Sequence, residues 1–366
     1  MKTLKIQEIL RTSGLQHAID TLCLVHKVSD GLVLLKYKQI ESDFSLEAVR
    51  ECRGIILDSN DNWNIVSYPY DKFFNLGEGN CAPINWDIAK FYAKLDGSLV
   101  NFYYYKDEWK VQTSGTINAD AFTSEPSKTF NEVIWETVDE MYGREKFLSM
   151  LDTNCNYMFE LCTPYNIVVT QHIDSKLYLH GIRDMKTFEW LDIDNSELLK
   201  ADRYDLKHID DMLARFEHMT WQEEGFVVFD GINRAKCKNP KYVEVHHVAT
   251  GVSPFSIINV VKTNEVDEYL SYFTQQADVV RMYERKWKEL NYQLDLQFQT
   301  LNTIEDQKAF ALAVMADVPK PYHGAFFCAR NGKTASINEG LRNIEHRYFY
   351  YLFNDQMNMY TNKNKL

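Results

Sequence analysis

Up to about residue 245 the apolar positions fall in short β-branched or aromatic runs bounded by turn residues, which predicts strands. GIILDS, WNIVSYP, LVNFYYY, WKVQTSG, YMFELC, IVVTQHI, KLYLHGI and EGFVVF are such runs. EGFVVF, then Asp230-Gly231, then INRAKCK predicts a hairpin turning on Asp-Gly, a preferred two-residue turn. Between the strands, FNEVIWETVDEMYGREKFLSML carries apolar residues at helical spacing and predicts one surface helix. Beyond Val252 the period changes. EVDEYLSYFTQQADVVRMYERKWKELNYQLDLQFQTL has no proline or glycine and predicts one long helix or two stacked ones. EGLRNIEHRYFYYLFNDQ continues the helical pattern. The chain is thus expected to hold an α+β domain over residues 1–250 and a smaller all-α domain over 251–366.

Composition narrows the class more than the function. At 366 residues there is enough chain for a sizeable core, and 45% hydrophobic with 25% charged residues is ordinary for a soluble protein. No apolar run approaches the roughly 20 residues that span a bilayer. The N-terminal MKTLKIQEILRTSG is amphipathic without the apolar core of a signal peptide, so a cytoplasmic protein with no membrane partner is expected. Seven scattered cysteines without a CxxC pair argue against a disulfide framework or a structural zinc site. The net charge of −12 excludes a protein that coats nucleic acid indiscriminately, although a local basic cleft remains open. Charge is in fact uneven: the segment from Pro319 to Leu366 is +4 and the remainder −16.

Candidate chemistry begins at Lys94-Leu95-Asp96-Gly97-Ser98, between the apolar IAKFYA and the strand LVNFYYY. A lysine at a strand end before a turn projects its amine into a cleft, where it can attack a nucleotide α-phosphate once it loses its proton. Alone the pattern is weak, because KxDG arises by chance in roughly one chain in a dozen of this length. Other segments fall in with it. Glu51-Cys52-Arg53-Gly54 precedes one strand, and Asp71-Lys72-Phe73-Phe74-Asn75 follows the next. Glu160 interrupts YMFELC and Glu224 opens FVVF, where a carboxylate needs a partner or a metal. Lys236 and Lys238 flank Cys237, so an extended strand points both to one face.

In this order ECRGI, KFFNL, KLDGS, FELCTP, EGFVV and KCKNPKYVEVH resemble the signatures of the covalent nucleotidyltransferases, which include DNA ligases, RNA ligases and capping enzymes. The likeness is nearest to the RNA ligase 1 family of phage tRNA-repair enzymes and runs from about Glu51 to His246. It implies a nucleotidyltransferase domain (ATP-grasp-like ligase) of antiparallel sheets with helices, followed by the helical domain. It implies ATP as co-substrate with Mg²⁺ or Mn²⁺, and three steps: lysyl-AMP on Lys94, adenylated RNA, and sealing of a 5′-phosphate to a 3′-hydroxyl.

Carried over by position, Arg53 and Lys72 match cations at the ATP phosphates, and Glu160 and Glu224 match acids at the ribose or metal. Lys236 and Lys238 match the paired lysines at the α-phosphate and triphosphate, and would help drive the proton from Lys94. Phe74, Ser98 and Tyr242 fall on lesser positions, where an aromatic beside the adenine or a hydroxyl at the nucleotide is implied and a packing or turn role is equally open. Two departures stand out. Gln112-Thr113-Ser114-Gly115-Thr116 lacks the basic residues of a K-S-K-G-S-like segment, and Ile167 stands where an arginine is common. The resemblance further implies RNA ends as partners, broken tRNA among them, and a separate end-healing kinase and phosphatase. A capping enzyme or DNA ligase would carry an OB-fold after the KxK strand, where this chain predicts helices. The altered QTSGT segment is what favours a catalytically silent nucleotide- or RNA-binding relative.

Overall fold

The computed structural model describes residues 3–39, 41–125, 127–166, 170–243, 254–272, 277–342, 344 and 348–349. The chain divides into two units, Met1–His246 and His247–Leu366.

The first unit is α+β, with three sheets. Sheet I has the order β1 (Leu24–Ser29), β2 (Leu32–Tyr37), β3 (Arg53–Asp58), β4 (Asn64–Ser67). Every residue of LVLL at the start of β2 is buried, because both faces of the sheet are covered. Val33, Leu35, Ile55 and Leu57 pack with α1 (Lys5–Leu22) and α2 (Glu47–Glu51), while Leu32, Leu34 and Ile56 meet Tyr103 and Ile117.

Sheet II runs β11 (Trp190–Leu191), β10 (Lys176–Asp184), β9 (Cys155–Cys162), β7 (Ser98–Tyr105), β8 (Glu108–Thr113). Along β9 and β7 successive side chains alternate in face. Tyr157, Phe159, Leu161, Val100 and Phe102 enter a core with Val133, Ile134, Val138 and Phe147 of α3 (Phe130–Met141) and α4 (Arg144–Ser149). Phe102 meets Phe147 and Phe159 edge-on at centroid distances of 5.1 and 5.4 Å, so truncating it costs about 3–5 kcal/mol. Leu99 and Glu160, register partners, take the opposite face.

Sheet III has the order β12 (Arg203–Tyr204), β6 (Lys90–Ala93), β13 (Gly225–Phe229), β14 (Arg234–Lys238), β5 (Phe74–Asn75), antiparallel except for the parallel β14–β5 pair. Phe91, Phe226, Val228 and Cys237 bury one face against Met212 and Phe216 of α5 (Ile209–His218).

Three sequence expectations need correction here. The hairpin forms, but its register centres the turn on Gly231 and Ile232, with Gly231 at φ 97°. Asp230 is held back because its carboxylate accepts the backbone N–H groups of Ile232, Asn233 and Asn85. The single surface helix is two, broken at Gly143, where φ is 74°. For IVVTQHI, Ile167–Val169 lie outside the described residues, the Ile167 departure with them. From Thr170 to Ile173 there is no strand, since the Thr170 N–H and His172 Nε2 bond to Asp96 instead.

The second unit is helical throughout its described residues: α6 (Pro254–Lys262), α7 (Val266–Tyr272), α8 (Ala277–Leu301), α9 (Gln307–Asp317), α10 (His323–Arg330) and α11 (Ile337–Arg342). The long helical stretch is helical over Val266–Tyr272 and Ala277–Leu301, and the point that separates one helix from two, residues 273–276, lies outside the described residues. Val280, Tyr283, Trp287, Leu294, Phe310, Val314 and Phe326 form the common core of the helices. Arg330, counted in the positive segment, donates to the carbonyls of Asn302, Ile304 and Glu305 and so holds the turn between α8 and α9. Its place in the positive balance is therefore structural. Among the described residues, no helix is long and apolar enough to cross a membrane.

Candidate functional site

Sheet III keeps one face out of its core, and alternation decides which side chains stand there. Paired residues of neighbouring strands share a face, so Lys90, Phe229 and Arg234 form one row and Tyr92, Val227 and Lys236 the next. Lys94 follows Tyr92 by two residues, and Lys238 follows Lys236 by two, opposite Gly225. These two rows, with Lys94, line a cavity of about 480 Å³ whose other wall includes Leu99, Glu160, His180 and Trp190 from sheet II. Arg53 and Phe73 also line it.

Lys94 is fixed by its backbone and its side chain. Its N–H donates to the carbonyl of Gly225 at 2.8 Å, which holds β6 to β13. Its Nζ lies 2.6 Å from Glu224 Oε1, with Lys94 20% and Glu224 7% exposed. Burial raises the Glu224 carboxyl, and Lys94 and then Lys238 pull it back down. The amine therefore faces an acid as well as the cations that the sequence singles out. Gly225 has φ 133°, and a Cβ there would sit 2.1 Å from the Cys237 carbonyl oxygen, so no other residue fits beside Glu224.

The turn after Lys94 is tied down on every side. Asp96 is buried and accepts from the Thr170 N–H at 2.6 Å and the Tyr242 hydroxyl at 3.0 Å. A Cβ on Gly97 would meet the Leu161 carbonyl oxygen at 2.5 Å and Glu160 Cγ at 3.0 Å. This glycine lets the turn lie directly on β9, which brings Glu160 close to the base of the Lys94 turn.

The cationic and acidic residues read from the sequence divide into two groups. Lys94, Arg53, Glu160 and Lys236 line the cavity. Glu224 reaches it through Lys94, and Lys238 acts on Glu224 from the same edge. Arg53 and Lys236 both approach the ring of Phe73, at 5.0 and 5.5 Å from its centroid. Lys72 stands apart: its Nζ is 5.2 Å from the rings of Tyr37 and Phe44 and 5.5 Å from Phe74.

The three lesser positions all lie off the cavity wall. Phe74 is buried and pairs with Ala235, whose side chain belongs to the opposite face of sheet III; Phe73 is the aromatic on the wall. The Ser98 hydroxyl accepts from Asn166 Nδ2 at 2.9 Å. Tyr242 holds Asp96. Each of the three thus has a packing or turn role here. In the QTSGT departure, Gln112 is fully buried and donates to the Gly54 carbonyl at 2.6 Å, while the Thr113 and Thr116 hydroxyls bond at 2.9 Å. That segment braces the strand that carries Arg53.

Sequence reasoning missed a stacked column whose Trp190, Phe229 and Arg234 line the cavity. Tyr68, Arg183, Trp190, Arg234 and Phe229 form a column of alternating rings and guanidinium groups, with ring-to-cation distances of 3.8 to 4.0 Å. Burial brings the Arg234 guanidinium down to about 10. A signal for Arg234 was present, because it precedes Lys236 by two and Lys238 by four on the same strand. Trp190 and Arg183 gave none, since their meeting depends on the pairing of β10 with β11.

The family model described as RNA ligase matches residues 51–242. Over 343 residues the chain is 26% identical to an RNA ligase of Rhodothermus phage RM378, with 72% of this chain and 78% of the relative aligned. Over 301 residues it is 27% identical to a candidate bifunctional polynucleotide kinase/RNA ligase of Autographa californica nuclear polyhedrosis virus, covering 76% of this chain but only 43% of that longer protein. Among solved structures, an archaeal ATP-dependent RNA ligase aligns at TM-score 0.46 and 13% identity, over 71% of this chain and 68% of the other. With its family segment spanning every element that builds the cavity, the chain belongs to the RNA ligase family.

Proposed function

We propose that this chain is an ATP-dependent RNA ligase that seals 5′-phosphate to 3′-hydroxyl RNA ends, with Lys94 as its nucleophile. The observation that carries the proposal is the ion pair of Lys94 with buried Glu224, at 2.6 Å, in a cavity lined by Arg53, Glu160 and Lys236. An ammonium ion cannot attack phosphorus, and an ordinary lysine near pKa 10.4 is almost wholly protonated at neutral pH. Glu224, with a carboxyl raised by burial, is the base in contact with that proton.

Lys94 Nζ then forms the N–P bond to the ATP α-phosphorus as the P–O bond to pyrophosphate breaks. Negative charge on the nonbridging oxygens meets Lys236 and Arg53, preorganised on the cavity wall. The 5′-phosphate of RNA next takes AMP from Lys94, and a 3′-hydroxyl displaces AMP to close the strand.

Glu160 and Glu224 suit Mg²⁺ or Mn²⁺, which take one or two carboxylates and complete their shell with phosphate oxygens and water. Among the described residues, no group of three or more His, Cys, Asp or Glu can hold an ion alone, so the nucleotide would supply the remaining ligands. The ion's contribution is to neutralise phosphate charge.

Nucleotidyl transfer belongs to the first unit, and the helical unit takes the RNA, with broken tRNA as its substrate. Exposed Lys320 and Lys333, rather than Arg330, are the cations with which to test that contact. A kinase and phosphatase heal the ends beforehand. The virus relative, named for both a kinase and a ligase, supports that pairing. The chain's continuation into helices, with no strand among described residues beyond 254, disfavours a capping enzyme or DNA ligase.

The test is incubation with α-³²P-ATP and Mg²⁺, then denaturing electrophoresis of wild type beside Lys94→Ala. An acid-labile labelled band at the protein's mass, absent from the variant, is expected. No label with any divalent metal, from protein free of bound AMP, would instead identify a silent relative.

A further inference from the structure

We infer that Lys36 binds the β,γ-phosphates of ATP and meets the charge of the departing pyrophosphate, supplying from β2 the cation that the QTSGT segment lacks. This rests on the reading of Lys94 as the adenylated nucleophile.

A slip in register places Lys36. Strands β2 and β3 pair Leu35 with Ile55 and then Lys36 with Arg53, which leaves Gly54 as an extra residue on β3. Ile55 packs toward α1 and α2, and without the extra residue Arg53 would share that face. The bulge turns Arg53 over to the face of Lys36, which is also the face of Leu34 and its neighbour Tyr103. Gly54 has φ 87°, and a Cβ there would lie 3.0 Å from Ser114 Cα, so the QTSGT turn is seated against the bulge. The Lys36 amine reaches the same turn. Its Nζ is 4.0 Å from the point that a Cβ on Gly115 would occupy.

Lys36 and Arg53 are therefore like charges directly opposite one another, an arrangement that destabilises a sheet by itself. Both are half-buried, and among the described residues no carboxylate pairs with either. Arg53 Nη1 is buried without a hydrogen-bond partner. Two adjacent cations of this kind suit an anion with several acceptor oxygens, and a polyphosphate offers that chemistry.

Position separates the phosphates. Arg53 lines the cavity and shares the Phe73 ring with Lys236, where the α-phosphate meets Lys94. Lys36 stands on the neighbouring strand, off the cavity wall, and so reaches the phosphates beyond the α-phosphate. As the N–P bond from Lys94 forms, the electron pair of the breaking P–O bond goes to the β-phosphate oxygen. An ammonium fixed there stabilises the charge as it develops. Transfer to RNA and sealing involve AMP without pyrophosphate, so Lys36 serves the first step alone.

The experiment measures initial rates of protein labelling against α-³²P-ATP concentration, and in parallel the sealing of chemically pre-adenylated RNA. Wild type, Lys36→Ala, Lys36→Arg and Lys36→Ala combined with Ser114→Lys are compared. Lys36→Ala should raise the KM for ATP about tenfold, the loss of one charged hydrogen bond, with sealing of pre-adenylated RNA within about twofold of wild type. Lys36→Arg, and a lysine returned to the turn at position 114, should each recover most of the KM. An unchanged KM in Lys36→Ala, an equal loss in both reactions, or no recovery in either restored variant would overturn the assignment while leaving lysyl-AMP formation standing. A wild type that takes no label from ATP would remove the nucleotidyl-transfer reading first, and this assignment with it.

Discussion

The two walls of the cavity are built by different rules. On sheet III, Lys90, Tyr92 and Lys94, Val227 and Phe229, and Arg234 and Lys236 arrive by strict two-residue alternation on three paired strands. On sheet II, Glu160 follows the alternation, but His180 comes from a bulge and Trp190 from a two-residue strand whose guanidinium neighbours lie on two other strands. A regular wall presents charge that varies with one residue at a time. An irregular wall depends on glycines and close approaches, so it should fail as a unit.

The largest difference is expected at Gly181. Gly181→Ala places a methyl where the Tyr70 hydroxyl lies, displacing Tyr70 from His180 and from its stack on Trp190. The expected loss is about 2 kcal/mol of stability together with at least a tenfold rise in the KM for ATP. Thermal melts and labelling rates check it; normal values for both would mean that the irregular wall is as tolerant as the regular one.

A buried acid outside the cavity shows whether burial alone produces site behaviour. Glu51 is raised to about 7, mainly by burial, while its carboxylate accepts the N–H groups of Lys5 and Ile6. A carboxyl raised on folding binds protons more tightly in the folded state, so its contribution is present below about pH 4.5 and is lost as pH rises through 7. Between pH 5 and 8 the protein should lose about 2–3 kcal/mol from this group. Melts of Glu51→Gln against pH should be flatter over that window, with ATP labelling little changed; a parallel pair of curves would discard the cause.

Neighbouring phenylalanines separate wall from core. Phe74→Ala should lower stability by about 3–5 kcal/mol and leave the KM for ATP near that of wild type, because Phe74 is buried on the far face beside β14. Phe73→Ala should raise KM several-fold at a stability cost of about 1 kcal/mol, since its ring faces the cavity between Arg53 and Lys236. The reverse pattern would put the cavity on the wrong side of the strand.

The smallest effect belongs to the helical unit. Arg330→Ala should cost about 1–2 kcal/mol by freeing the carbonyls of Asn302, Ile304 and Glu305 in the turn that follows α8. Lys320→Ala with Lys333→Ala should leave the melt unchanged and weaken binding of broken tRNA with a shallower salt dependence. If Arg330→Ala alone weakens RNA binding without moving the melt, holding that turn is not its role.

Much of the sheet III wall was legible in the sequence because period-two alternation is a property of any extended strand. From it followed one face for Lys236 and Lys238, and the exposed end of the strand for Lys94. Extending the same count by two residues gives Arg234. The Phe73 and Phe74 assignment was not legible, because adjacent residues on a strand point oppositely and nothing local says which one meets the cavity. Similarly, Asp230-Gly231 reads as a turn centre until the Asp230 carboxylate finds the Asn85 amide, 145 residues away.

The sequence by itself thus determined β3, β4, β7 to β10, β13 and β14, the order of the charged residues along them and the helical character of the last third. Each of these depends on neighbours within a few positions. Only the tertiary structure decided that Glu224 would meet Lys94, that Gln112 would brace Gly54, and that a bulge would turn His180 toward Glu160. Those contacts join residues 58 to 130 positions apart or hinge on a slip in register between two strands, and their geometry is set by how sheets pack, not by any local preference.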